Sequence, residues 1–140
     1  MRYLGLDLGT KTLGVALSDL TKTISSPVKI IRFEEGEWDK AIPELQELIS
    51  EFNVEKIILG FPKNMNNTVG ESGERTLVFK DVLEQKFNIP VIMQDERLTT
   101  VEATNYMLGA DMSRKKRKEK IDSLAANIIL QTYLDKEKGR

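Results

Sequence analysis

The sequence predicts an α/β domain in which a mixed five-stranded sheet carries helices on both faces. The order of predicted elements, β-β-β-α-β-α-β-α-α, is the first observation behind this fold class. The first three extended runs have short connections, which favour antiparallel pairing. The later two strands are separated by helices, and such crossovers are typical of parallel pairs. We therefore expect three antiparallel strands followed by two parallel ones.

Each strand is predicted from an apolar or alternating run bounded by turn residues. The first two are joined by Gly9-Thr10-Lys11, a connection of hairpin length, and the third follows Pro27. The fourth ends at Pro62, before a polar loop rich in Asn and Gly. The predicted strands are residues 3–8, 12–18, 28–33, 54–61 and 89–96.

Four helices are predicted from apolar residues at helical spacing. The third has Thr99 or Thr100 as a candidate cap and Gly109 as a candidate end. The last is expected to begin at about Lys120, after a strongly basic segment. The predicted ranges are 37–52, 73–87, 99–110 and about 120–136.

Composition narrows the classes of function. A length of 140 residues suits one domain over residues 1–140. There is no apolar run long enough for a membrane span and no leader pattern at the start, so we expect a cytoplasmic protein with no membrane partner. Cysteine and histidine are both absent. That excludes thiolate chemistry, His-ligated zinc, Ser-His-Asp hydrolysis and a His acid–base pair.

Asp7 is an unusual residue for the middle of an apolar strand. Alternation places it on the side opposite Leu6 and Leu8, beside the small residues of the next strand, where a ligand, a metal or a closely packed helix could fit. The alternative is a turn-capping Asp that accepts hydrogen bonds from the backbone N–H of Gly9 or Thr10.

Acidic residues at two other positions in the sequence are candidates for the same site. Asp95 and Glu96 lie where an apolar strand ends, and ligand sites of parallel α/β sheets lie beyond such ends. Asp122 is expected in the first turn of the last helix, before Ala125 and Ala126, which would let that helix approach the sheet closely. The alternative for Asp122 is an ordinary N-terminal acid stabilised by the helix dipole.

Three carboxylates that meet at one sheet edge would repel one another unless a divalent cation joined them. Two such ions, roughly 3.5–4 Å apart, would suit in-line cleavage of a phosphodiester. One ion would help to form a hydroxide nucleophile, and the other would stabilise the departing oxygen.

Several motifs together resemble the YqgF/RuvX family. They are GLDLGTKTLGVALSD at 5–19, GFPKNMNN at 60–67, GESGERT at 70–76, DERLTTVEA at 95–103 and IDSLAANIILQTYLD at 121–135. This family is described as Holliday junction resolvases and as nucleases of ribosomal RNA precursors, with a ribonuclease H-like fold. The resemblance implies that Asp7, Glu96 and Asp122 are the catalytic, metal-binding acids, and we expect the metal to be Mg²⁺ or Mn²⁺, bound as two ions.

The spacing of the strands gives a separate reason to prefer Glu96 to Asp95 as the metal ligand. If the fourth strand lies between the first and the fifth, Asp7 and the acid on the fifth strand stand about 9.5 Å apart. The longer Glu side chain would span that gap through a metal more easily than Asp would.

Cationic residues near these acids are candidates for contact with substrate. Lys11 lies at the hairpin tip, where the alternative is a solvated lysine, and Arg97 could hold a phosphate or form an ion pair with Asp95. The segment 114–120 has six cations and one anion, although the net charge of the chain is −1. Its candidate phosphate contacts are Arg114, Lys115, Lys116 and Arg117, with a solvated loop as the alternative.

The expected function is therefore a metal-dependent endonuclease of structured RNA or branched DNA. One alternative is an ATP-binding module, because DLGTKTLGVAL also looks like the phosphate-binding hairpin of actin-like ATPases and sugar kinases. Another alternative is a nucleic-acid-binding protein without catalysis. Symmetric cutting of a four-way junction would need two active sites, whereas trimming of RNA needs one, so we expect a monomer or a weak homodimer.

Overall fold

The computed structural model describes residues 1–61, 71–95 and 114–137, and for residues 71, 72, 95 and 114–123 it describes the backbone alone. Five strands form one sheet in the order β3-β2-β1-β4-β5. The strands are β1 Arg2–Leu8, β2 Thr12–Ser18, β3 Ser25–Arg32, β4 Val54–Phe61 and β5 Val91–Asp95. β1, β2 and β3 pair antiparallel, and β4 pairs parallel with both β1 and β5. The predicted mixed sheet is confirmed.

Three α-helices flank the sheet within the described residues: α1 Ile42–Phe52, α2 Glu71–Phe87 and α3 Arg114–Glu137. α1 starts later than expected, because a 3-10 turn, Trp38–Ala41, precedes it. Pro43 lies in the first turn of α1, where the lack of an N–H is tolerated. α1 ends as predicted, with Asn53 in the left-handed conformation as its C-cap.

The two faces of the sheet have separate cores. Leu4, Leu6 and Leu8 face the larger core, which includes buried residues of α1 and α2. Tyr3 faces the smaller core with residues of α3. The smaller core consists of Tyr3, Ala16, Ile58, Ala126, Ile129, Leu130 and Leu134. The predicted alternation along the first strand is thus confirmed, and so are helices on both faces.

β3 begins earlier than predicted and includes Pro27. A proline lacks the N–H that a central strand needs, so the sequence was interpreted as a strand starting after it. β3 is an edge strand, and its register shifts next to the pair Ala16–Pro27. An edge position with an irregularity is where a strand accepts proline.

The expected start of the last helix at about Lys120 is wrong. α3 begins at Arg114, so the basic segment is helical rather than a loop. Lys, Arg and Glu are good helix formers, and no Gly or Pro interrupts residues 114–120. The helix dipole disfavours cations at a helix N-terminus, and this favoured a later start. The predicted helix over 99–110 lies outside the described residues.

Leu77 and Val78 of α2 are exposed, although both are large apolar residues. Phe79 and Leu83 are the fully buried apolar residues of α2, and the Trp38 ring packs edge-on against Phe79. Within the described residues, no helix has the length and apolar character needed to cross a membrane.

Candidate active site

The parallel pairing of β1, β4 and β5 brings the carboxyl ends of these strands to one edge of the sheet. β5 pairs with β4 as far as Phe61 and Asp95, and the β1–β2 hairpin tip, residues 9–11, lies beyond the end of β1. This edge, on the face that α3 covers, is the candidate site. The arrangement is the one in which parallel sheets bind ligands.

Asp7 lies on the α3 face of the sheet, next to Gly14 on β2. On the other side of Asp7, the β1–β4 ladder ends at the pair Leu6–Leu59, so Gly60 is the next β4 residue. Gly60 pairs in turn with Gln94 of β5. Asp7 is half-buried between two strands that carry glycine at its level. The expected small-residue surroundings are confirmed.

The turn-capping alternative for Asp7 loses one of its two proposed donors. The Gly9 N–H donates to the carbonyl oxygen of Thr12, at 2.8 Å, and closes the hairpin by itself. The turn therefore has its own backbone hydrogen bond in place of one from Gly9 to the aspartate.

α3 crosses this face in close contact with β1. A Cβ added to Gly5 would lie 2.7 Å from Leu130 Cβ and 3.1 Å from the carbonyl oxygen of Ala126. Ala125 and Ala126 are fully buried at this crossing. The expected close approach of the last helix through small residues is confirmed, and it depends equally on the absence of a side chain at position 5.

Contacts along β1 show that α3 runs antiparallel to it. Tyr3 hydrogen-bonds to Glu137, whereas Gly5 lies against Leu130 and Ala126. Two residues along β1 thus correspond to at least seven residues toward the start of α3. The part of α3 that precedes Ala126 therefore lies toward the carboxyl end of β1, where Asp7 is. Asp122 is one helical turn before Ala126, in that part of the helix.

The expected position of Asp122 within its helix is wrong. Eight residues of α3 precede it, and the first turn contains no acid. The helix dipole acts mainly within the first turn, so the alternative role of Asp122 as an N-terminal acid is contradicted too.

Glu96 and Arg97 lie outside the described residues, and Asp95 is described only as the last residue of β5, paired with Phe61. Ile92 packs into the α3-side core and Met93 into the opposite core. Gln94, which by alternation shares the face of Ile92, is buried. A polar residue is thus buried on the face of Asp7, two strands away from it.

The cationic candidates lie around the same edge. Lys11 is exposed at the hairpin tip. Arg114, Lys115, Lys116 and Arg117 form the first turn of α3, and the antiparallel course of the helix carries that turn past the level of Asp7.

Oxygen donors suit Mg²⁺ and Mn²⁺, and the candidate acids supply nothing else. Among the side chains that the structure describes, no three acidic residues come together in a group able to hold a metal ion. Asp7 is the described member of the proposed set, so a metal site here requires Glu96 and the side chain of Asp122.

The far end of α3 is fixed by a polar cluster that the sequence analysis did not identify: Tyr3, Lys56, Tyr133 and Glu137. The Tyr3 hydroxyl donates to Glu137 Oε1 at 3.0 Å, and Lys56 Nζ donates to the Tyr133 hydroxyl at 3.1 Å. Lys56 Nζ also lies 3.5 Å from Glu137 Oε2 and 4.8 Å from the centre of the Tyr3 ring. These contacts join β1, β4 and α3, so only the tertiary fold reveals them.

The cluster shifts the ionisation of two of its members. Burial and the hydrogen bond to Glu137 raise the pKa of Tyr3. Burial alone would lower the pKa of Lys56, but its hydrogen bond to Tyr133 and the charge of Glu137 raise it more. Both residues therefore keep their protons well into the alkaline range.

Comparison with known proteins gives one family match over nearly the whole chain. The family model described as "RuvX: Holliday junction resolvase" matches residues 1–136. A Bacillus subtilis protein named "Putative pre-16S rRNA nuclease" is 53% identical over 135 residues, which cover 96% of this chain and 98% of that protein. A protein of the same name from Caldanaerobacter subterraneus is 47% identical and covers 99% of both chains.

Solved structures with a similar fold include resolvases. A Thermus thermophilus RuvC structure has a TM-score of 0.60 at 14% identity and covers 99% of this chain and 97% of its own. The fowlpox virus Holliday junction resolvase has a TM-score of 0.56 at 16% identity, with coverage of 97% and 99%. At such identities the likeness concerns the fold, which in these proteins is ribonuclease H-like.

Proposed function

The chain belongs to the RuvX family of Holliday junction resolvases, and we propose that it is a metal-dependent endonuclease that hydrolyses phosphodiester bonds in structured nucleic acid. The two substrates that its relatives suggest are precursor 16S ribosomal RNA and the four-way DNA junction. The observation that most directly supports this proposal is the position of Asp7. Its carboxylate lies half-buried between glycine-bearing strands, at the end of β1 toward which α3 carries Asp122.

Asp7, Glu96 and Asp122 are the proposed catalytic acids and would hold Mg²⁺ or Mn²⁺, as two ions. Such ions supply Lewis-acid activation of water and stabilise negative charge at the leaving oxygen. Parity along β5 supports Glu96 over Asp95 for this role. Ile92 and Gln94 lie on the Asp7 face, and the same alternation continued by one residue beyond β5 would assign Glu96 to that face and Asp95 to the other.

The chain's own cations would bind and orient the substrate backbone. Lys11 and the first turn of α3, with Arg114, Lys115, Lys116 and Arg117, lie at the same end as Asp7, so a phosphate strand across this edge would meet both. Arg97 is proposed to hold the scissile phosphate, because its planar guanidinium donates two parallel hydrogen bonds. These contacts give affinity without reading base sequence.

The ATP-binding alternative is not favoured. The family match extends over residues 1–136, and the relatives that share about half of the sequence are named as nucleases. For RNA trimming a monomer would suffice. A weak homodimer would place two sites on a four-way junction.

Cleavage by the purified protein tests the proposal. Labelled junction DNA and 5′-extended 16S RNA are incubated with Mg²⁺, with Mn²⁺ and with EDTA. We expect cleavage of at least one substrate with metal only, and its loss in Asp7→Asn. Asp81→Asn, an exposed acid of α2, which packs on the other face of the sheet, is the matched control and should cleave normally.

One result would reject this function, and another would reject the role of Asp7 in it. Binding of both substrates without cleavage under any metal condition would favour a noncatalytic nucleic-acid-binding protein. Cleavage that persists unchanged in Asp7→Asn would remove Asp7 from the chemistry.

A further inference from the structure

Arg32 is an exposed cation on the same face and at the same end of the sheet as Asp7. It is the last residue of β3 and pairs with Thr12 of β2. The preceding residue, Ile31, is buried in the core on the α1 and α2 side. Alternation therefore places Arg32 on the α3 face, as it does Asp7. Its exposure leaves it accessible from solvent.

The backbone around Arg32 is fixed against the hairpin tip. The Phe33 N–H donates to the carbonyl oxygen of Lys11 at 2.9 Å, and the Gly36 N–H donates to that of Thr10 at 3.2 Å. These hydrogen bonds continue the β2–β3 pairing beyond Thr12. Arg32 and Lys11 are consequently neighbours in space, and both are exposed.

The register gives the separation between Arg32 and Asp7. Asp7 pairs with Gly14, Gly14 pairs with Ile30, and Arg32 follows two residues later. Two strand spacings across and two residues along amount to about 12 Å between the Cα atoms. A nucleic-acid strand rises about 3.4 Å per nucleotide along the duplex axis, so this distance spans at most three or four nucleotides.

We propose that Arg32, together with Lys11, binds a backbone phosphate of the substrate a few nucleotides from the bond that is cut. This inference rests on the proposed nuclease function and adds to it a contact on the β3 side of the site, opposite the side of β5. A guanidinium suits the role because it holds phosphate through two parallel hydrogen bonds.

The neighbouring groove limits the path of the strand. An open groove of about 320 Å³ is lined by Arg32, Phe33, Glu34, Glu37 and Lys40. Its two carboxylates repel phosphate, so the groove itself is a poor phosphate pocket. The strand would pass over the α3 face, where Arg32 and Lys11 meet it, and the acids would mark the outer limit of that path.

The first test is the salt dependence of binding, measured with the junction DNA or 16S RNA that the wild-type protein cleaves. We expect Arg32→Gln to raise Kd about 3- to 10-fold and to reduce the slope of log K against log salt by about 0.9, the value for one lost phosphate contact on a duplex. Arg32→Lys should keep the slope, because it keeps the charge.

Lys29→Gln is the matched control. Lys29 is on the same strand as Arg32, but alternation places it on the opposite face of the sheet. Its Nζ lies 2.7 Å from Glu44 Oε2 of α1. It should bind with the affinity and slope of the wild type. Equal losses in Lys29→Gln and Arg32→Gln would overturn the inference, as would an unchanged slope in Arg32→Gln.

The second test locates the contact on the substrate. Single phosphates are replaced by uncharged methylphosphonates at successive positions from the cut. Replacement at one position, a few nucleotides from the cut, should weaken binding by the wild type. The same replacement should not weaken binding by Arg32→Gln any further. If every position weakens both proteins equally, Arg32 contacts no phosphate, whereas the nuclease function is judged separately by Asp7→Asn.

Discussion

Gly5 of β1 lies directly beneath Leu130 of α3, so close that a Cβ at position 5 would lie 2.7 Å from the Leu130 Cβ. The contact is between a strand and the helix that carries Asp122, one turn beyond Ala126. The distance between β1 and α3 therefore also sets the distance between Asp7 and Asp122. A residue without a side chain thus bears on the geometry of the proposed metal site.

Gly5→Ala should separate the helix from the strand by a few tenths of an ångström or more. Overpacking of this kind costs about 1–3 kcal/mol of unfolding free energy. We expect denaturant unfolding to show that loss. Because Asp7 and Asp122 move apart, Mg²⁺-dependent cleavage should fall at least tenfold at temperatures where the variant is still folded.

Gly36→Ala separates the effect on geometry from the effect on stability. Gly36 has a φ of +80°, which is strained for alanine, but no atom of the described residues lies within 4 Å of the added Cβ. The strain costs about 1–2 kcal/mol. This variant should lose stability while cleaving normally. If both glycine variants lose activity in proportion to stability, the spacing between β1 and α3 has no special effect on the site.

Asp122→Asn should leave the fold intact. Asp122 is beyond the first turn of α3, so its charge gains little from the helix dipole, and the substitution should change the unfolding free energy by less than about 0.5 kcal/mol. Mg²⁺ binding, measured by calorimetry, should weaken and cleavage should be lost. A large drop in thermal stability with normal Mg²⁺ binding would instead give Asp122 a structural role.

Local pattern was sufficient to predict the sheet and the face on which Asp7 lies. Leu4, Leu6 and Leu8 alternate with Tyr3, Gly5 and Asp7, and the two sets lie on different faces of the sheet because a strand has a period of two.

The early start of α3 could not be predicted in this way. Six cations at a helix N-terminus oppose the dipole rule, whereas tertiary contacts of the later turns, such as Leu130 against Gly5, stabilise the whole helix.

The relative positions of the site residues could not be predicted from the pattern of apolar and polar residues in the sequence. The assignment of Asp122 to the same end of the sheet as Asp7 follows from where Gly5 meets Ala126, a contact between residues 121 positions apart in the chain. Arg32 was missed in the same way. Its place on the Asp7 face depends on the register of β3 against β2, which includes a shift beside Pro27.

The helical state of the basic segment changes what its substitution should do. Replacement of Lys115, Lys116 and Arg117 by alanine keeps the helix, because alanine has the highest helix propensity. We expect unchanged circular dichroism, weaker substrate binding and a salt slope smaller by about 2 to 3. Consecutive residues of a helix point about 100° apart, so the three single variants should differ from one another. An unchanged slope in the triple variant would exclude phosphate contact by this turn.

Lys56 should stabilise the attachment of α3 over a wide pH range. Its pKa lies above the ordinary value of 10.5, and the pKa of Tyr3 lies above 10.0, so both protonated forms are favoured by folding. This stabilisation is complete below about pH 10 and is lost as the pH rises through the raised folded values. Lys56→Met removes the hydrogen bond to Tyr133 and the contact with Glu137. We expect a loss of about 1 kcal/mol, since the partners are only partly shielded from water.

Unfolding in urea at pH 7, 9, 10.5 and 11.5 measures the difference between Lys56→Met and the wild type. The difference should be constant up to pH 9 and shrink above pH 10.5, because the unfolded wild type then releases the Lys56 proton that the folded state retains. Lys80→Met is the control: its pair with Glu84 on α2, at 2.8 Å, spans one helical turn at the surface and should contribute about 0.3–0.5 kcal/mol. A difference for Lys56→Met that is no larger than for Lys80→Met would show that the cluster at the end of α3 does not fix the helix to the sheet.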